Sequence, residues 1–147
     1  MAFDVLLKMA SDEFSDDYAL TALVSSAKSG VADAVEFAIR DVVAVGIRSS
    51  HVEPLIALLR LDWHTRHEDI AGLLQRAADD RASDVLFETA TRKFDYLEYD
   101  ENEGLARKCT WALADIGSDT AVSYLRALAE NGNELVAAYA AKRLFAL

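Results

Sequence analysis

Apolar residues return every three or four positions along almost the whole of this chain, while the alternation that marks a strand is almost nowhere. That spacing gathers them on one stripe of an α-helix. A stripe must cover another apolar surface, so helices have to pack on helices. Only one proline, Pro54, and six glycines punctuate the 147 residues. With so few breakers, long helices on short connections are expected, and the expected fold class is all-α.

The helices can be placed in order. A short one is expected over residues 3–10. Ser15 reads as the N-cap of a second that runs to about Lys28, with Asp16 and Asp17 in its first turn. A third covers about Ala32 to Val45, with Val31, Val35, Phe37, Ala38, Ile39 and Val42 as its buried stripe and Gly46 as its stop. Pro54 is expected to open the fourth, since a first turn tolerates the missing N–H. The fifth runs from Arg66 or His67 to Ala78 with Thr65 as cap, and the sixth from its cap Ser83 to about Lys93. A break follows over Phe94–Glu103. Leu105, Cys109, Ala112, Leu113 and Ile116 then share one face of a seventh helix, and Trp111 reads as core with them. Gly117 ends it and Ser118 begins the eighth. Asn131-Gly132 is a turn, and Asn133 caps a last helix carrying Val136, Ala140 and Leu144.

Helix pairs recur. Pro54, Asp84 and Ala121 occupy similar places in three of them, roughly 30 and 37 residues apart. The second interval is lengthened by the break. Such periods point to an α-solenoid of about nine helices stacked as antiparallel pairs, one helical-repeat domain over 1–147. Residues 1–30 would supply N-terminal or capping helices and 31–147 the repeats. The run from Leu105 to Leu125, with Ala112-Leu113-Ala114-Asp115-Ile116-Gly117 followed by Ala121-Val122-Ser123-Tyr124-Leu125, resembles a HEAT-like repeat of the phycobilin-lyase type. Leu135 to Leu144 resembles the first helix of one more. The likeness is good over about 103–147, weaker over 51–92, and unsupported before about residue 31. It implies a fold, not a chemistry.

Charge narrows the function. Lys and Arg number 15 against 25 Asp and Glu, a net charge of −10. A phosphate-binding surface needs a basic patch, and no run of Lys or Arg exceeds two, so direct nucleic-acid or anionic-membrane binding is not expected. A basic protein partner is. The N-terminus lacks a signal-peptide pattern, and no segment has the apolar length of a membrane span, so a cytoplasmic location is expected. Cys109, the only cysteine, reads as a small buried hydrophobe.

Two clusters stand out. In Trp63-His64-Thr65-Arg66-His67-Glu68-Asp69 the histidines are spaced i, i+3, as metal ligands on a helix can be. His67-Glu68 is similar to one of the His-Glu pairs with which the HEAT-repeat deoxyhypusine hydroxylases hold two irons. One pair cannot build that multi-pair site, and the zincin pattern is absent. A surface, capping or partner-contact role is expected instead, with no metal and no other cofactor. The second cluster is the break, where Asp95, Glu98, Asp100, Glu101 and Glu103 interleave with Phe94, Tyr96 and Tyr99. Such a mixture suits docking of a basic surface, tyrosine anchoring and carboxylates steering. No phosphate loop or nucleophile motif is present, so no enzyme is expected. Trp63-His64…His67-Glu68-Asp69, Tyr96…Tyr99-Asp100 and Arg107-Lys108-Cys109…Trp111-Ala112-Leu113 together are similar to compact bacterial HEAT-like proteins found beside toxins. That likeness implies an immunity-type inhibitor of a basic toxin domain. The alternatives are a generic scaffold or adaptor, then a metal-dependent enzyme. The expected partner-binding residues are Trp63, His64, His67, Glu68, Asp95, Tyr96, Glu98, Tyr99, Asp100, Glu101 and Glu103.

Overall fold

The computed structural model describes residues 18–147, and among these every regular element is helical. The expected helix at 3–10 and the cap Ser15 lie outside the described residues. The α-helices are α1 over 18–29, α2 Ala32–Val45, α3 Ser49–Arg60, α4 His67–Ala77, α5 Ser83–Ala90, α6 Glu103–Ile116, α7 Asp119–Ala129 and α8 Glu134–Ala146. Two 3₁₀ segments, Asp80–Ala82 and Asp95–Asp100, lie between them. No described helix is long and apolar enough to cross a membrane.

Neighbouring helices pair, α3 on α4, α5 on α6 and α7 on α8. Next-but-one helices also touch. One row is α3, α5 and α7; the other is α4, α6 and α8. α6 is the hub and packs on α4, α5, α7 and α8. Its stripe is the one legible in the sequence: Leu105, Cys109, Ala112 and Leu113 are buried. Each fully buried leucine contributes about 2 kcal/mol of hydrophobic transfer. Cys109 is wholly enclosed, and burial pushes its thiol up to about 12, so it is an inert packing residue.

The ends of the helices obey local chemistry where a side chain decides them. Ser118 accepts the Ala121 N–H at 3.0 Å, and Asn133 accepts those of Leu135 and Val136. Gly117 closes α6 at φ 64°. Four expectations need correction. α3 begins at Ser49, so Pro54 lies inside it; the turn ahead of the proline is held by His51, whose Nδ1 accepts the Arg48 N–H at 3.1 Å. Thr65 caps nothing, since α4 starts at His67 with Arg66 in the cap position. Ser83 is the first residue of α5 and donates to Asp80, and α5 stops at Ala90. Val31, Phe37 and Trp111, read as buried, are exposed.

Ala78 ends α4 in the left-handed region at φ 48°. An L side chain there costs about 1–2 kcal/mol. Ala78→Gly removes that cost and adds only part of it back as chain entropy. The variant should be more stable by about 0.5–1 kcal/mol in urea unfolding with an unchanged m-value.

Candidate functional site

A helix leaves its last four carbonyls without partners. At the end of α3 these carbonyls are collected by side chains from two later segments. His64 Nε2 donates to Leu58 O at 2.7 Å. Arg92 donates to Leu59 O and Arg60 O at 3.3 and 3.1 Å. One residue on, His67 Nε2 donates to Leu61 O at 2.6 Å. The partners fix the tautomers. His64 Nδ1 accepts the Arg66 N–H at 3.0 Å, and His67 Nδ1 accepts the Tyr96 hydroxyl at 2.6 Å. Each ring therefore carries its proton on Nε2 and is neutral.

The same groups stack. His64 lies on His67 with ring centroids 4.1 Å apart, and His67 on Phe94 at 4.0 Å. The Arg92 guanidinium closes the stack 4.6 Å from the Phe94 centroid, and Trp63 meets His64 edge-on at the other end. Each aromatic contact of this kind adds about 0.5–1.5 kcal/mol beyond its burial. The Arg92 charge also sits where the negative end of α3 favours it. Burial pulls His67 down to about 4 against the pull of its bond to Leu61 O, and the Arg92 charge beside it adds to the downward shift. Burial lowers His64 in the same direction. It raises Tyr96 to about 12, which keeps the phenol a donor.

His64 and His67 are thus buried, His64 lying at the floor of the cleft described below. They are 1% and 0% exposed, and both nitrogens of each ring are engaged. Both rings meet carbonyls at or just past the end of α3. No three His, Cys, Asp or Glu among the described residues stand where they could share a metal ion.

The surface above the stack keeps the other candidates. Trp63, Asp95 and Tyr96 line an open cleft of about 370 Å³, with Lys93 on its wall. The Asp95–Asp100 segment is pinned from beneath by buried Phe94 and Leu97. Buried Asn102 ties it shut: its Oδ1 accepts the Phe94 N–H at 2.7 Å, and its own N–H reaches Leu97 O at 2.9 Å. Glu101 and Asn102 both take left-handed backbone, at φ 57° and 62°, to turn the chain into α6. Asparagine accepts that conformation readily; glutamate does so only because the turn demands it.

What the pinned segment presents is acidic. Asp95, Glu98, Tyr99 and Glu101 are exposed, Tyr99 by 79%. Asp100 is half-buried and accepts the Gly104 N–H at 3.1 Å. Glu68 reaches the same spot from α4, so that a Cβ at position 104 would run into its carboxylate and that of Asp100. Glu103 accepts the Tyr139 hydroxyl. The start of α6, the positive end of its dipole, is a favourable place for this negative charge. The carboxylates of Asp100 and Glu68 hold the Tyr99 phenol above its usual range. The structure thus detaches Glu68 from the histidines and joins it to the acidic lip. Two residues that matter here, Arg92 and Asn102, were not singled out from the sequence. Nothing local marks them, because their partners are 8 to 33 residues away.

Because the folded pKa of His67 lies below the unfolded value near 6.5, the unfolded chain binds more protons between these limits. Stability should be full above about pH 6.5 and fall toward pH 4, by on the order of 2 kcal/mol once solvent screening is allowed for. Urea unfolding across that range should show this slope, and it should flatten in His67→Gln. An equal slope in the variant would place the proton uptake elsewhere.

Comparison with protein-family models, with curated proteins and with solved structures finds no match to this chain.

Proposed function

We propose that this chain is a non-catalytic protein-binding module, a HEAT-like α-solenoid whose acidic lip docks a basic protein. The reading rests on one observation: an exposed row of Asp95, Glu98, Tyr99 and Glu101 stands on a segment held in shape by Phe94, Leu97 and Asn102. A loop that is already ordered loses little conformational freedom on binding, so its carboxylates and tyrosine keep more of their interaction energy. Tyrosine is a favoured interface anchor, and spaced carboxylates steer lysines and arginines. Pairing of successive helices, with next-but-one contacts in two rows, supports the solenoid reading.

In its sharpest form the proposal is an immunity-type inhibitor. The partner is a basic toxin domain, such as a nuclease, and the lip occludes its active site with carboxylates in place of phosphates. Trp63 and Tyr96 offer apolar contact beside the lip, from the cleft they share with Asp95. The engaged nitrogens of His64 and His67 and the raised thiol of Cys109 argue against using these groups for catalysis. A scaffold or adaptor is the second reading. It is favoured by apolar side chains left exposed on α2 and α8, Phe37 by 58% and Phe145 by 95%.

Asp100 caps Gly104 and is left untouched in the test. The variant Asp95→Lys/Glu98→Lys changes only exposed carboxylates. Pull-down from native lysate with the wild-type chain should retain a basic partner that salt releases. The variant should lose that partner, with affinity reduced by about a hundredfold or more. Retention of the same partner by the variant would sink the lip as the docking surface.

A further inference from the structure

Several cations of this acidic chain are already engaged. Arg40, Arg60, Arg66 and Arg81 each face a carboxylate at salt-bridge distance, and Arg92 is committed to the end of α3. The row of α4, α6 and α8 differs. There Arg107, Lys108 and Arg143 make no ion pair among the described residues. Two of them meet on an indole. The guanidinium carbon of Arg107 is 5.5 Å from the Trp111 ring centroid, and that of Arg143 is 5.7 Å away.

Trp111 is 38% exposed, so this cluster opens to the surface. Arg107 and Lys108 precede Trp111 by four and three positions on α6, which makes both its neighbours on the helix. Arg143 reaches over from α8. An arginine held beside an aromatic ring keeps N–H groups that the ring does not use, and these suit the oxygens of a carboxylate. The carboxylates nearest along α6 are otherwise occupied. Glu103, one turn before Arg107, takes the Tyr139 hydroxyl, and Asp115, one turn after Trp111, takes Gln75 at 2.8 Å. Arg143 Nε is buried with no acceptor. A guanidinium that is partly desolvated and has no carboxylate at salt-bridge distance among the described residues favours an anion at its remaining N–H groups.

We propose that Arg107, Trp111 and Arg143 form a binding site for carboxylates of an acidic peptide segment on a protein partner. Peptide is favoured over nucleic acid because Glu103 and Asp115 flank the cluster and the chain carries −10 overall. A closely spaced row of phosphates meets those charges, whereas separated carboxylates reach the two arginines between them. The site uses residues other than those of the acidic lip, and its reading does not rest on the lip.

A Trp63→Phe background leaves Trp111 as the one indole. Titration of the full chain with acetyl-hexaglutamate amide should shift Trp111 emission to saturation, and added salt should weaken the binding. Arg107→Gln/Arg143→Gln should bind roughly tenfold more weakly or worse. Arg107→Lys/Arg143→Lys keeps the charge, disturbs folding least, and should also weaken binding because the planar fork is gone. Hexalysine should give no response. The proposal is overturned by the absence of a saturable shift, or by full affinity in either double variant. Tighter binding of a DNA duplex or of pyrophosphate than of hexaglutamate overturns it as well.

Discussion

The end of α3 is the point on which the rest of the structure depends. Carbonyls that a helix cannot satisfy are costly when buried, and here they must be met from outside the helix. His64, His67 and Arg92 meet them together, from segments that follow α3 by a few residues and by about thirty. In doing so they lock α4 and the Phe94–Tyr96 stretch to α3. The three rings stack because each imidazole is neutral. Two charged imidazoles 4.1 Å apart would repel, which is why burial and the lowered pKa values belong to one arrangement.

That lock explains why an interruption between helices has a defined shape. Phe94 is held between His67 and Arg92, and Tyr96 is tied to His67 by its hydroxyl. The following residues have little freedom left, and Asn102 removes most of what remains. The outward-pointing carboxylates are therefore presented by a braced segment rather than a loose loop. The strain accepted at Glu101 belongs to the same account, since a backbone in a sparsely populated region persists only where its surroundings over-determine it.

Helix existence was legible in the sequence because it depends on local period. The stripe of α6 and the caps Ser118 and Asn133 involve partners within one or two turns. The roles of the histidines were not legible. The i, i+3 spacing of His64 and His67 suits a metal or a cap equally, and the decision comes from carbonyls six residues back and a hydroxyl 29 residues ahead. Pro54 misled because proline marks helix starts on average, while here His51 builds a turn upstream of it. Phe37 and Trp111 misled for another reason. A stripe tells which face is apolar, but not whether a neighbouring helix covers all of it.

α6 shows how one central helix comes to carry opposite charges. Its first turn gathers Glu103 and the approaching carboxylates of Asp100 and Glu68, where the helix dipole is positive. One turn later Arg107 begins the cationic cluster on Trp111. In an isolated helix Glu103 and Arg107, four positions apart, would pair and cancel. Here the two are not at salt-bridge distance: Tyr139 of α8 donates to the glutamate, and Arg143 of α8 joins Arg107 at the indole. The element therefore carries an acidic pole and a basic pole one turn apart. Any partner that engages both must carry the opposite order of charge along α6, which restricts the direction in which it can lie.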